Sequence, residues 1–284
     1  MKIDTLLLSG GGVNCLSFLG SLKYLIESNQ MEKDLSNLKT IIGVSGGILH
    51  IIPLLIGFSI ESTIKLFIGS DYSKLIDYNH VEINNLFNDY GVHENEFIVE
   101  LLSKVLQKKN YSTEITLSEL YKITKIKLVI KTINLSKKKI CYFHYKNNPD
   151  LSLLTAVKMT TCVPLIFKPI NYKGDLYVDG GLCGNFPLEY MTKNKKKYKN
   201  YIGLKVSHSK EAIEKESFND LFEYLSGLYN IQWSPYDHCK NKRIIGIPSI
   251  GDSMDFFISK EDKIKIMENG IIEIKKSLGN SCIT

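Results

Sequence analysis

Short apolar runs alternate with amphipathic stretches along most of this chain. The runs predict strands near Ile3–Ser9, Leu38–Val44, Ile126–Asn134, Lys139–Tyr145, Leu176–Asp179, Tyr201–Val206 and Arg243–Ile247. Apolar spacing of three and four, or helix-forming composition, predicts helices over Leu16–Glu27, Gly46–Ile56, Ile60–Ile68, Glu94–Lys108, Leu117–Thr124, Leu151–Thr161, Phe218–Tyr229 and Lys260–Ser277. Alternation of the two kinds implies an α/β fold, a mainly parallel central sheet covered on both faces. Loops that follow the strands of such a sheet meet at its carboxyl edge, where open α/β folds bind ligands.

Three of those loops carry chemistry. Gly43-Val44-Ser45-Gly46-Gly47 sets a serine between glycines directly after a strand. A strand turning sharply into a helix leaves little room beside the turning residue, so Gly43 and Gly47 relieve the clash and expose the serine Oγ. The following helix points its N-terminal dipole at that oxygen. An ordinary glycine-rich turn would look the same in isolation. Ser9-Gly10-Gly11-Gly12-Val13 joins the first strand to the first helix, and its successive backbone N–H groups form a concavity suited to a phosphate or an oxyanion. A dinucleotide fingerprint laid from Gly10 fails, because Cys15 stands where its third glycine belongs. Asp179-Gly180-Gly181 ends a strand with an acid that would otherwise read as a turn aspartate. An anion loop, a serine elbow and a strand-end acid on one chain point together to a catalytic site.

In that order, the three motifs resemble the patatin-like phospholipase family. Its pattern is a glycine-rich oxyanion loop G-G-G-x-[RK]-G, a G-x-S-x-G elbow and D-G-[GA]. The resemblance extends to the turn Gly57-Phe58-Ser59-Ile60-Glu61, to Leu154 through Pro169, and from Asp179 to Asn185-Phe186-Pro187, so it covers about residues 3 to 206. It implies a three-layer α/β/α patatin-like fold with a mainly parallel central sheet, in one domain over residues 1–284. By the same resemblance Ser45 is the nucleophile and Asp179 the general base of a Ser-Asp dyad. The oxyanion hole falls to the loop Gly10, Gly11, Gly12 and Val13, with Gly43, Gly47, Gly180 and Gly181 as structural glycines. The implied reaction is hydrolysis of a phospholipid or related ester through an acyl-enzyme, with no cofactor and no metal. A Ser-His-Asp esterase and a silent lipid-binding module are the alternatives. An esterase elbow normally follows several strands, whereas Ser45 follows the second.

One stretch departs from the pattern. Asn14 and Cys15 occupy the places of the basic residue and the next glycine. Asn14 is expected to offer an amide donor but no charge to the oxyanion, and Cys15 to restrict a backbone position that needs positive φ. Replacing the two by Arg and Gly is then expected to raise turnover.

The remaining composition adds bounds. At 284 residues, 44% hydrophobic and 23% charged, the chain can bury one large core. Six scattered cysteines, without C-x-x-C spacing or a signal peptide ahead of them, predict reduced thiols in an intracellular, cytoplasmic setting. The apolar run from Ile48 to Ile60 contains His50 and Pro53 and falls short of the roughly twenty residues of a membrane span, so it reads as a core helix with a packed His50. Residues 70–111 carry no motif; the amphipathic spacing of Phe97, Ile98, Leu101, Leu102, Val105 and Leu106 fits core packing, with a lid or lipid-docking face as the rival. Residues 207–284 are read as a mainly helical C-terminal part in which Trp233 and Phe256-Phe257 could meet an acyl chain. Net charge is +6, and runs at Lys137–Lys139 and around Lys193, Lys195–Lys197 and Lys199 suit either a solvated face or peripheral contact with an anionic membrane. No reading motif for nucleic acid accompanies them. Nothing in the sequence names a protein activator.

Overall fold

The computed structural model describes residues 2–76, 83–192, 198–207 and 241–279. Its main sheet contains β1 (Thr5–Leu8), β2 (Thr40–Val44), β4 (Lys127–Asn134), β5 (Lys139–Phe143), β7 (Ile170–Tyr172), β8 (Asp175–Asp179), β9 (Tyr201–Ser207) and β10 (Ile244–Pro248). The order is β10-β9-β1-β2-β4-β8-β7, with β5 also paired to β4. From β10 to β4 every neighbour is parallel, whereas the β4–β5, β4–β8 and β7–β8 pairs are antiparallel. The sheet is therefore mixed but mostly parallel, as an α/β fold requires. A separate two-stranded ladder joins β3 (Gly91–His93) to β6 (Leu165–Phe167).

Strand alternation divides the apolar residues between two faces. Leu6 and Leu8 of β1, Ile41 of β2, and Leu128 and Ile130 of β4 enter the larger core. On that side lie α1 (Leu16–Glu27), α2 (Gly46–Leu55), α3 (Ile60–Gly69), α5 (Glu96–Lys108), α6 (Leu117–Thr124), α7 (Leu153–Thr160) and α9 (Lys260–Gly279), each placing apolar residues in the same core. Leu7, Ile42 and Val129 point the other way, into a smaller cluster with Phe186, Tyr198, and Leu188 and Met191 of α8 (Leu188–Thr192). Both faces are thus covered. Burying each such Leu or Ile contributes roughly 1.5–3 kcal/mol, which holds these strands between the two packed layers.

The elements expected from the pattern form within a residue or two of their forecast ends, apart from Phe218–Tyr229, which lies outside the described residues, as do Trp233, Cys239, Cys282, Lys193 and Lys195–Lys197. The structure adds α4 (Ile83–Asp89), β3, β6, β7 and α8, all short. Within the 70–111 segment, α5 buries Ile98, Leu102, Val105 and Leu106 and leaves Phe97 and Leu101 partly covered, so its apolar stripe is a packing face. After residue 240 the described chain supplies the edge strand β10 as well as α9, and is not purely helical. No helix among the described residues is long and apolar enough to cross a membrane; the run from Ile48 becomes α2, a turn and the start of α3.

Candidate active site

β4 aligns the two halves of one pair of residues. Along a single edge it pairs first with β2, where Val44 faces Lys131, and then with β8, where Asp179 faces Thr132. β2 runs parallel to β4 and β8 antiparallel, so the carboxyl ends of β2 and β8 meet head to head. The next residue after Val44 is Ser45, and its Oγ donates a hydrogen bond of 2.6 Å to Asp179 Oδ2.

Ser45 stands in a sharp elbow. Its φ of 51° and ψ of −133° form a conformation that side chains other than glycine rarely adopt, at a cost of about 1–3 kcal/mol. The surroundings hold it there. A Cβ at Gly47 would collide with the Ser9 carbonyl, and one at Gly43 would press on Ile48. Gly46, which the motif reading left unassigned, is needed as well, because a Cβ there would come within 2.8 Å of the Gly12 carbonyl. The Ser45 N–H donates to Thr160 Oγ1 at 2.9 Å, and that hydroxyl donates to the Lys131 carbonyl at 2.6 Å. Thr160 therefore ties the elbow to β4; it went unnoticed in the sequence because a threonine ending a helix has no distinctive pattern.

Asp179 is fully buried. Its Oδ1 accepts the Gly181 N–H at 2.7 Å while Oδ2 faces Ser45, and its own N–H donates to the Cys162 carbonyl at 2.8 Å. Gly180 rests on the Lys131 carbonyl, leaving no room for a side chain. A hydroxyl bonded to a buried carboxylate whose second oxygen is already occupied can pass its proton in one direction.

The glycine loop runs beside this pair. Gly10 donates its N–H to the Asn185 carbonyl and Val13 to the Ser253 carbonyl, each at 3.0 Å. Among the described residues no acceptor faces the N–H of Gly11 or Gly12, both half-buried. Of the four loop residues, Gly10 and Val13 thus have their amides engaged, and two donors remain for an incoming oxygen. Gly11 and Gly12 have φ of 148° and 50°, which a side chain would resist. Cys15 does not need such freedom: at φ −65° and ψ −11° it is ordinary helical backbone, so the strain expected of a cysteine there is absent. Burial and the Asp179 charge push its thiol well above the usual range. Asn14 is likewise not aimed at an oxyanion. Buried, it accepts the Ile250 N–H at 2.8 Å through Oδ1 and donates to Ser253 Oγ at 3.3 Å through Nδ2, fastening the loop to the segment after β10.

Ser45, Gly12 and Gly46 open onto a cleft of about 450 Å³, mouth included, with Leu49, Ile98, Val163, Phe167 and Phe256 among its apolar walls. His50 and Tyr72 also line it. His50 Nδ1 bonds the Gly46 carbonyl at 2.6 Å and Nε2 the Tyr72 hydroxyl at 3.2 Å, so both ring nitrogens are occupied. Burial lowers its pKa from 6.5 to about 4, which leaves it neutral near pH 7. His208 and His238 lie outside the described residues.

Residues 6–192 match the family model for patatin-like phospholipase. The chain is 30% identical over 198 residues to the "Probable lipid hydrolase 463L" of Invertebrate iridescent virus 6, a match covering 68% of this chain and 66% of that protein. It is 26% identical over 289 residues to "Uncharacterized protein R571" of Acanthamoeba polyphaga mimivirus, across 98% of this chain and 94% of the other. In three dimensions it is similar to VipD from Legionella pneumophila, with a TM-score of 0.64 and 17% identity over 99% of this chain and 67% of VipD. ExoU of Pseudomonas aeruginosa, solved with SpcU, gives a TM-score of 0.57 and 15% identity over 98% of this chain and 51% of that one. Those two structures, at such low identity, share its fold, and the sequence match carries the family: this chain belongs to the patatin-like phospholipases.

Proposed function

We propose that this protein is a lipid acyl hydrolase of phospholipase A type, with Ser45 as nucleophile and Asp179 as general base. The 2.6 Å bond between Ser45 Oγ and the buried Asp179 carboxylate, beside an apolar cleft, carries this reading. The family and the lipid-hydrolase name of the viral relative favour it.

Ser45 Oγ attacks the ester carbonyl carbon as its proton passes to Asp179 Oδ2, and the carbonyl electron pair moves onto oxygen. Negative charge thereby leaves the carboxylate and appears on the oxyanion. The Gly11 and Gly12 N–H groups are the donors left for it, and such preorganised donors act most strongly where water is excluded. Collapse expels the alcohol, which takes the proton from Asp179 and leaves an ester on Ser45. Water then gives a proton to Asp179 and attacks that ester; the second collapse returns the proton to Ser45 and frees the fatty acid. Neutral His50, held at both nitrogens, takes no part in the transfers.

The substrate would be met at a membrane surface. β4 and β8 extend past the level of Ser45, so the β4–β5 turn projects from the same edge of the sheet and carries Lys137, Lys138 and, at the start of β5, Lys139. These cations suit an anionic bilayer. Cys15, Cys141, Cys162 and Cys183 are free thiols, in keeping with action inside the cell. Incubation with a fluorophosphonate probe, followed by mapping of the adduct, tests the assignment: label at Ser45 that is lost in Asp179→Asn is expected, and an unlabelled folded protein would leave only a lipid-binding role.

A further inference from the structure

Lys131 is a fully buried lysine in the middle of β4, on the side of Val129 that faces the smaller cluster. The motif reading gave it no role. Its ammonium donates to the Cys183 carbonyl at 2.9 Å and the Gly184 carbonyl at 2.6 Å, and forms an ion pair with Glu189 Oε1 at 2.8 Å. Glu189 Oε1 also accepts from the Tyr142 hydroxyl, whereas Oε2 is buried and has no hydrogen-bond partner among the described residues. A buried ion pair is weak evidence for stability, since apolar residues of similar volume often serve as well or better. Its position suggests another use.

Lys131 lies where both halves of the dyad are anchored. It faces Val44, the residue before Ser45, and precedes Thr132, which faces Asp179. Its carbonyl receives Thr160 Oγ1, the group that holds the Ser45 N–H. Its side chain reaches the other way, to the two carbonyls that close the 3₁₀ turn Gly180–Cys183. That turn presents the Gly181 N–H to Asp179 Oδ1 and runs on to Asn185, whose carbonyl takes the Gly10 N–H. We propose that Lys131 is a positioning residue: by pinning the carbonyls of Cys183 and Gly184 it fixes the turn that fills Asp179 Oδ1, leaving Oδ2 aimed at Ser45, and so sets the rate of proton transfer without touching substrate. The inference rests on the Ser-Asp reading above.

The test is the pair Lys131→Met and Lys131→Met/Glu189→Gln in the full chain, with kcat and KM measured on a short soluble ester, the rate of fluorophosphonate labelling at Ser45, and thermal unfolding. The single variant strands a buried carboxylate and is expected to be less stable. The double variant removes both charges and is expected to unfold at or above the wild-type temperature, yet to keep a kcat reduced about 10- to 100-fold, KM within about twofold and labelling slowed in parallel. Recovery of kcat together with stability would make the lysine a counter-ion and overturn the proposal. So would failure of the double variant to fold, which would assign Lys131 to the fold. Absence of hydrolysis and labelling in the wild type would instead overturn the Ser-Asp reading, and this inference with it.

Discussion

The two sides of the site are held in opposite ways. Ser45 and Asp179 grow from strand ends that share one edge of β4, and their contacts lie between residues 43 and 181, inside the family match. The glycine loop is fastened by residues 250–253, which lie outside that match: Ser253 takes the Val13 N–H, and Ile250 and Ser253 both bond Asn14. A sheet holds Ser45 and Asp179; a segment from the far end of the chain holds the loop beside them. The first side is set by strand pairing, and the second by side-chain and backbone hydrogen bonds from Asn14 and Val13 to one distant segment.

The sheet-held side is where the largest effect is expected. Ser45→Ala and Asp179→Asn should each slow ester hydrolysis at least about a thousandfold, and the double variant should be no worse than either single one, because the two groups act as a unit. Steady-state turnover with circular dichroism checks this. A histidine variant that loses as much activity while folded would break the dyad.

Next comes a pH effect behind the elbow. His50 has a pKa near 4 when folded and 6.5 when exposed, so above pH 6.5 it is neutral in both states and adds no pH dependence. As pH falls from 6.5 to 4 the unfolded chain takes up a proton that the folded one refuses. Stability should drop across that window by an amount on the order of 3 kcal/mol. Denaturant unfolding of His50→Gln beside the wild type isolates this loss, which the variant should lack.

On the loop side the expected losses are smaller. Asn14→Leu strands the Ile250 N–H and the Ser253 hydroxyl, costing about 1–3 kcal/mol of stability. Turnover should fall about tenfold as the Gly11 and Gly12 amides lose their support. Asn14→Arg with Cys15→Gly should slow the enzyme, contrary to the expectation drawn from the family pattern, because position 14 is buried and its partners accept no guanidinium-sized group. Faster turnover by that variant would show that the segment after β10 is not what holds the loop.

The smallest effect concerns membrane contact. Changing Lys137, Lys138 and Lys139 to Gln should weaken binding to phosphatidylserine vesicles by about 1 kcal/mol for each cation released, less at Lys137, which already pairs with Asp175. Binding should also fall with salt. Indifference to lipid charge in a sedimentation assay would return these lysines to a solvated surface.

Much of the sheet-held side could be read from the sequence, since its constraints are local. Gly43 and Gly47 flank the serine, Asp179 ends its strand, and the two-face alternation of Leu6, Leu7 and Leu8 or Ile41 and Ile42 marks strands buried on both sides. Long-range contacts hid the rest. Nothing near Asn14 announces that Ile250 will bond it, so its side chain was expected at the oxyanion. Lys131 breaks an apolar run, and a lysine at such a place looks like a solvated position until Cys183, Gly184 and Glu189 are seen around it. The short β6, β7 and α8 have too few residues for any periodicity to register.

The meeting of β2 and β8 on one edge of β4 also sets a timetable for synthesis. Ser45, just past the end of one strand, leaves the ribosome 134 positions before Asp179 at the end of the other, so a nascent chain that has not reached β8 carries the hydroxyl with no carboxylate beside it. Pairing across so long a separation forms late in folding. On the Ser-Asp reading, truncated or stalled products ending before β8 would lack the base and hydrolyse no ester.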